Sequence, residues 1–251
     1  EPRRTQLRLM PAFDLTGRRA LVTGGGQGVG EGIVRALADH GATVVVNDLH
    51  ADRAQAVADS VEGAIVAAFD VTDGDAVAAA VASVGPIDIL VNNAGVPEGM
   101  GLGPFADMDP AEWAQYVDLN LYGVLHCCHA VIGGMRERGW GRIITISSGA
   151  GVSGINLGVS IYGAGKGGAI AFMRHLAIEN ARRGVTANCL ALGLMDNQAS
   201  REVTEHLARS VPVGRLGRPD DVGAAAVYLA SEEAAWMTAQ TIHLDGGSLP
   251  T

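Results

Sequence analysis

Tyr162 and Lys166 stand four residues apart in the stretch Tyr162-Gly163-Ala164-Gly165-Lys166. On a helix that spacing puts both side chains on one face, one above the other. An ammonium beside a phenol favours the phenolate, drawing a pKa of about 10 towards the range in which tyrosine can act as a general base. Lys166 is also the only lysine in the chain; its other fixed positive side chains are all arginines. A compact ammonium on a flexible stem suits a proton-linked site better than a guanidinium that never gives up its charge. Ser147-Ser148, upstream, ends an apolar run and offers a hydroxyl that could hold a reacting oxygen. Tyr/Lys pairs at this spacing also occur on ordinary helix surfaces, so the meaning of this one depends on the elements that position it.

Residues 19–23 form a short apolar run that ends in Gly24-Gly25-Gly26-Gln27-Gly28-Val29-Gly30, and Ile33, Val34, Leu37 and Ala38 follow at helical spacing. Strand, glycine turn and helix together predict a phosphate-binding loop, with backbone N–H groups at the helix start facing a pyrophosphate. A second strand over 43–46 runs into Asn47-Asp48-Leu49. A carboxylate there accepts hydrogen bonds from a ribose diol and repels a 2′-phosphate, so Asp48 favours NAD over NADP. No arginine follows at once, and Arg53 falls in the next helix. The competing reading makes Asp48 a cap for the helix beginning near Ala51.

The alternation continues, with helices expected over 51–60, 73–83, 110–135, 161–182 and 219–230. Strands are expected over 64–69, 87–91, 142–146, 185–190 and 241–245. This pattern predicts an α/β fold, a doubly wound parallel sheet with helices on both faces and ligands at the C-terminal strand ends. Asp70-Val71 and Asn92-Asn93-Ala94-Gly95 fall at such ends. Asn120 places an amide in the apolar stripe of the 110–135 helix, where it needs partners. Residues 194–216 break the rhythm and read as an insertion over the substrate. The chain is expected to form one domain over 1–251, with residues 1–13 as an N-terminal extension.

Composition narrows the function. Hydrophobic residues make up 48% and charged residues 18%, enough apolar material for a large core. The net charge of -9, with dispersed basic residues, argues against nucleic acid or an anionic membrane surface as partner. Cys127, Cys128 and Cys189 show no metal-ligand spacing and read as small buried residues in a reducing compartment. No metal is expected. No leader-like apolar segment or membrane span is apparent, and a cytoplasmic location is expected.

Taken together, these motifs resemble the short-chain dehydrogenase/reductase family from about Asp14 to Gly247. Residues 23–30 are similar to its T-G-x-x-x-G-x-G turn, and Asp70 and Asn92-Asn93-Ala94-Gly95 to its adenine-side and strand-end motifs. Asn120, Ser148, Tyr162 and Lys166 fall where its catalytic tetrad lies. The resemblance implies Tyr162 as general acid/base, with Lys166 lowering its pKa and holding the nicotinamide ribose. It also implies Ser148 on the substrate oxygen, and Asn120 placing a water that links Lys166 to solvent. The implied cofactor contacts are Gly24, Gln27, Gly28, Val29, Gly30, Asp48, Leu49, Asp70, Val71, Asn93, Ala94, Gly95, Gly193, Met195 and Asn197, besides Tyr162 and Lys166. Substrate contacts are expected from Ser148, Tyr162, Glu98, Ser153, Asn156 and Gln198. The chain departs from the family in a Ser148-to-Tyr162 interval one residue longer than usual, in Leu192-Gly193 for Pro-Gly, and in Asn197 for a threonine. The expected activity is NAD-linked interconversion of a neutral, fairly hydrophobic secondary alcohol and its ketone. The alternatives are an NADPH-dependent 3-oxoacyl-[acyl-carrier-protein] reductase and a non-catalytic NAD(H)-binding regulator or scaffold. A homotetramer is implied.

Overall fold

A computed structural model describes residues 12–97, 99–196 and 201–249. The expectations placed on Glu98, Asn197 and Gln198 lie outside the described residues. Seven parallel strands, β1 (Arg19–Val22), β2 (Thr43–Val46), β3 (Ile65–Val66), β4 (Ile89–Asn92), β5 (Gly141–Ser148), β6 (Val185–Leu192) and β7 (Thr241–Leu244), form one sheet in the order β3-β2-β1-β4-β5-β6-β7. This is the doubly wound, Rossmann-like α/β fold. The strand order reverses between β1 and β4, which opens a crevice at their C-terminal ends.

Successive strand residues point to opposite faces, and each face has its own core. Ala20, Val22, Val44, Val46, Ile89 and Ile144 pack under α1 (Gly28–Asp39) and α8 (Pro219–Ala230). On the other face, Leu21, Val45, Leu90, Ile143 and Cys189 pack under α5 (Gly123–Arg138) and α6 (Ser160–Asn180). The remaining α-helices are α2 (Ala51–Ala58), α3 (Gly74–Val84), α4 (Trp113–Val117) and α7 (Arg201–Ala208), the last within the 194–216 insertion. Among the described residues no helix is long and apolar enough to cross a membrane.

Two elements differ from the sequence expectation. The strand expected over 64–69 is only two residues long, because β2, its sole neighbour, ends at Val46. Beyond it the Asn47 amide donates to the carbonyls of Ala67 and Phe69, both at 3.0 Å, so a side chain replaces the missing ladder. The helix expected over 110–135 is segmented into a 3₁₀ turn (Pro110–Glu112), α4, a π-helical turn (Asp118–Tyr122) and α5. The π turn is centred on Asn120, and such turns recur at functional sites.

At the opposite end of the sheet, Arg142, the second residue of β5, is almost fully buried. Its guanidinium donates to the carbonyls of Ser231 (3.1 Å) and Gly141 (3.0 Å) and lies 4.4 Å from the centre of the Trp140 ring. Glu232 completes the cluster at 3.4 Å but is 61% exposed, so its charge contributes little beside the buried hydrogen bonds. Arg142→Leu is expected to cost about 2–3 kcal/mol in urea unfolding, and Glu232→Gln less than about 1 kcal/mol. Equal losses would show that the ion pair, not the buried donors, holds this corner.

Candidate active site

The glycine loop is shaped by its neighbour at the β4 end. Asn93 Nδ2 donates to the carbonyls of Thr23 and Gly24, both at 2.9 Å, while Thr23 Oγ1 accepts from the N–H groups of Asn93 (3.0 Å) and Ala94 (3.1 Å). A Cβ added at Gly30 would overlap the Gly24 carbonyl, so the turn closes only on glycine. Gln27, the N-cap of α1, is extended and makes no side-chain capping bond, which leaves the helix start without a side-chain acceptor of its own. Gly28 is exposed at φ +53° with open space where a side chain would stand.

Asp48 follows β2 and is 6% exposed. Its Oδ2 accepts from the Gly26 N–H at 3.2 Å and its Oδ1 from the His50 N–H at 3.0 Å. His50, not Asp48, is the N-cap of α2. Arg53 packs its backbone and Cβ against Gly26, so a guanidinium stem rises beside the same pocket, a proximity that spacing along the chain did not reveal. Leu49 is exposed. Asp70 is exposed and accepts from the N–H and hydroxyl of Thr72, both at 2.8 Å. Val71 turns its side chain into the core and its carbonyl to His126 Nδ1, leaving its backbone N–H as the group that could meet a ligand.

Ser148, Tyr162, Lys166 and Asn120 converge. Tyr162 is the third residue of α6, and its phenol lies near enough to Ser148 for that side chain to lower its pKa. Ser148 Oγ accepts from the Ala150 N–H at 3.2 Å, whereas Ser147 is buried and donates to the Lys166 carbonyl at 3.4 Å. Lys166 is 4% exposed; its Nζ donates to the Ile146 carbonyl at 2.8 Å and lies 5.8 Å from the centre of the Tyr162 ring. Asn120 is fully buried, with Nδ2 donating to the Tyr116 carbonyl at 2.9 Å and Oδ1 without a hydrogen-bond partner. A Cβ at Gly95 would overlap Lys166 Nζ and come within 2.8 Å of Asn120 Oδ1, so both polar ends face the space this glycine leaves.

Burial raises the Tyr162 pKa, and the nearby Ser148 side chain offsets only part of that rise. In the protein alone desolvation dominates at the phenol, and Lys166 Nζ donates to the Ile146 carbonyl. Burial also lowers the Lys166 pKa to about 8.

The other expected positions separate. Gly193 follows β6 with its N–H on the Leu244 carbonyl at 3.1 Å, and half-buried Met195 bridges to Gly217 at the base of the insertion. Ser153 lines an open cavity of about 300 Å³ within the 150–163 loop, and neither Ser148 nor Tyr162 borders it. Asn156 is exposed and lines neither that cavity nor the one at Tyr162. The Ser153 N–H donates to the Gly149 carbonyl at 2.9 Å, next to Ser148. A small cavity that does reach Tyr162 is bordered by Met100, Phe105, Met108 and Tyr116, of which Met108 and Tyr116 carried no signal in the sequence. The three cysteines are buried, and burial pushes the Cys127 and Cys189 thiols up to about 12 and that of Cys128 upward as well. Among the described residues no group of three His, Cys, Asp or Glu side chains could hold a metal.

The open face of Gly28, the start of α1 without a side-chain cap, the anchored Asp48 carboxylate and the orphaned Asn120 Oδ1 fit a dinucleotide lying across the strand ends. Comparison with known proteins agrees. A family profile described as Enoyl-(Acyl carrier protein) reductase matches residues 24–248. The chain is 37% identical to an acetoacetyl-CoA reductase of Rhizobium meliloti (strain 1021), over 92% of this chain and 98% of that one. Its fold matches a gluconate 5-dehydrogenase from Burkholderia cenocepacia J2315 in complex with NADP and tartrate (TM-score 0.85, 35% identity, 94% of this chain and 96% of that one). It also matches a 3-oxoacyl-[acyl-carrier protein] reductase with bound NAD from Brucella melitensis (TM-score 0.88, 32% identity, 95% and 94%).

Because Lys166 is the only lysine, ¹⁵N-lysine labelling yields a single side-chain ammonium signal. In cofactor-free protein its titration midpoint is expected at about 8. A midpoint at the ordinary value of about 10.4 would show the ammonium to be solvated.

Proposed function

Because this chain belongs to the short-chain dehydrogenase/reductase family, oxidoreductases that act on hydroxyl and oxo groups with a nicotinamide cofactor, we propose that it interconverts a neutral, fairly hydrophobic secondary alcohol and its ketone with NAD(H). The cofactor, when bound, supplies the hydride chemistry. Residues 24–30 would hold its pyrophosphate, Asp48 its adenosine ribose, and Tyr162 and Lys166 its nicotinamide ribose. Tyr162 takes the hydroxyl proton in oxidation and returns it in reduction, while Ser148 donates to the same oxygen. Lys166 Nζ and Asn120 Oδ1, converging on Gly95, give that proton a polar route away from the phenol. Exposed Val96, Leu102, Phe105, Val152, Leu157 and Leu194 on the surrounding loops support an apolar substrate.

The observation that carries the cofactor reading is the Asp48 carboxylate, pinned by two backbone N–H groups against the glycine loop. A 2′-phosphate would meet that charge at short range. Arg53 beside Gly26, together with relatives named 3-oxoacyl-[acyl-carrier-protein] reductase, supports the second reading, an NADPH-dependent 3-oxoacyl reductase. A binding protein without turnover would need no assembled tetrad. Exposed Tyr122 and Ile178, on the sheet-distal side of the Asn120 and Tyr162 helices, support the proposed homotetramer.

Isothermal titration of NADH and NADPH into wild type and Asp48→Ala tests the cofactor. Wild type is expected to prefer NADH by about 10–100-fold, and the variant to lose most of that preference. NADPH bound as tightly as NADH by wild type would promote the second reading. In a screen of secondary alcohols, the oxidation rate is expected to rise with pH, since the base is a phenolate whose pKa burial has raised. Ser148→Ala removes the hydroxyl that lowers that pKa, so the rising limb is expected to move to higher pH.

A further inference from the structure

The acid/base assigned to Tyr162 sits where a helix is least able to hold a side chain still. α6 begins at Ser160, and its first intrahelical bond runs from the Gly163 N–H to the Val159 carbonyl at 2.8 Å. Val159, the N-cap, is an apolar β-branched residue that makes no side-chain capping bond. Helix starts without a capping side chain lose about 1 kcal/mol and fray first. A tyrosine in that first turn needs an external clamp.

Two loops supply one. On one side the 3₁₀ turn Gly149–Gly151 lies against the helix, so closely that a Cβ at Gly163 would come within 2.8 Å of the Ala150 carbonyl. On the other side the segment 99–108 crosses from the end of β4, and the Gly103 N–H donates to the Gly158 carbonyl at 3.1 Å. Gly158 directly precedes the uncapped Val159 and has φ +66°, and a Cβ there would stand 2.5–2.6 Å from the backbone of Gly103. Only glycine satisfies both the left-handed backbone and that approach. Behind this junction Met100, Phe105, Met108 and Tyr116 close on Ile161 and Tyr162, leaving only a small, partly open cavity between them.

We propose that Gly103 and Gly158 are positioning residues for the reaction: the backbone latch between them holds the first turn of α6 in place of a cap, and through it holds the Tyr162 phenol against Ser148. The segment 99–108 thereby serves as the outer clamp of the acid/base. This proposal rests on the reading of Tyr162 given above. It requires that opening the latch harm the chemical step while the dinucleotide half of the site, built on β1, β2 and β4, is untouched.

Gly158→Ala opens the latch from one side, and Gly103→Pro removes the donating N–H from the other. Both are to be compared with wild type and Tyr162→Phe on one turned-over alcohol. Both latch variants are expected to lose about tenfold or more in kcat, with NADH affinity within twofold and a melting temperature lowered no further than in Gly63→Ala. Hydrogen exchange is expected to show faster exchange at residues 160–163 alone. Gly63→Ala carries the same kind of backbone strain at φ +72° with no neighbour within 4 Å, and is expected to leave kcat unchanged. Faster exchange at 160–163 with kcat retained would overturn the proposal. So would a kcat loss matched by equal losses of NADH affinity and melting temperature, which would mark the latch as merely structural. Full activity in Tyr162→Phe would instead defeat the acid/base reading, a separate failure.

Discussion

A single ammonium in the protein interior sets the terms for the site. Lys166 is 4% exposed and donates to one backbone carbonyl. Taking such a charge out of water is costly unless its donors are met. The surroundings answer that cost in specific ways. Gly95 gives up its side chain so that Nζ has room, Asn120 turns a carbonyl oxygen towards the same space, and Ile146 offers its own at the strand end. Burial brings the amine's pKa down to about 8, within reach of physiological pH, which makes its charge responsive to any negative charge that develops nearby.

Asn120 is held there within an irregular helix. The π turn over Asp118–Tyr122 carries Asn120, whose Nδ2 donates to the Tyr116 carbonyl one turn back while its Oδ1 faces Gly95. Close approach of α6 makes the arrangement possible: a Cβ on Gly165 would stand 2.9 Å from the Asn120 Cβ. The glycine beside Lys166 thus serves packing, and the catalytic geometry follows from how near two helices can come.

The cofactor half is built differently. Its groups are backbone groups, and side chains act on them at one remove. Asn93 and Thr23 lace the glycine loop to β4, and Asp48 is itself held by two N–H groups. These residues sit at strand ends whose positions follow from parallel pairing, so the crevice is rigid because the sheet is. The substrate side depends instead on loops that meet by backbone contact, as at Gly103 and Gly158, and there small changes of chain length matter most.

Much of this was legible in the chain itself. Alternating apolar periodicities determine the strands and helices, hence the parallel sheet and the strand ends at which ligands bind. The glycine turn, Asp48, Asn120, Ser148, Tyr162 and Lys166 are recognisable because their chemistry demands particular residue types at local spacings. What local spacing cannot contain is anything set by contact between distant segments. The two-residue β3 depends on where β2 ends, and the π turn on how closely α6 approaches. The upward shift of the Tyr162 pKa depends on burial. Met108 and Tyr116 border the cavity at Tyr162, because loop paths are decided by the backbones they meet. Residue types determined which chemistry was available; desolvation and packing, which exist only in the folded chain, decided the distances and charge states at which it operates.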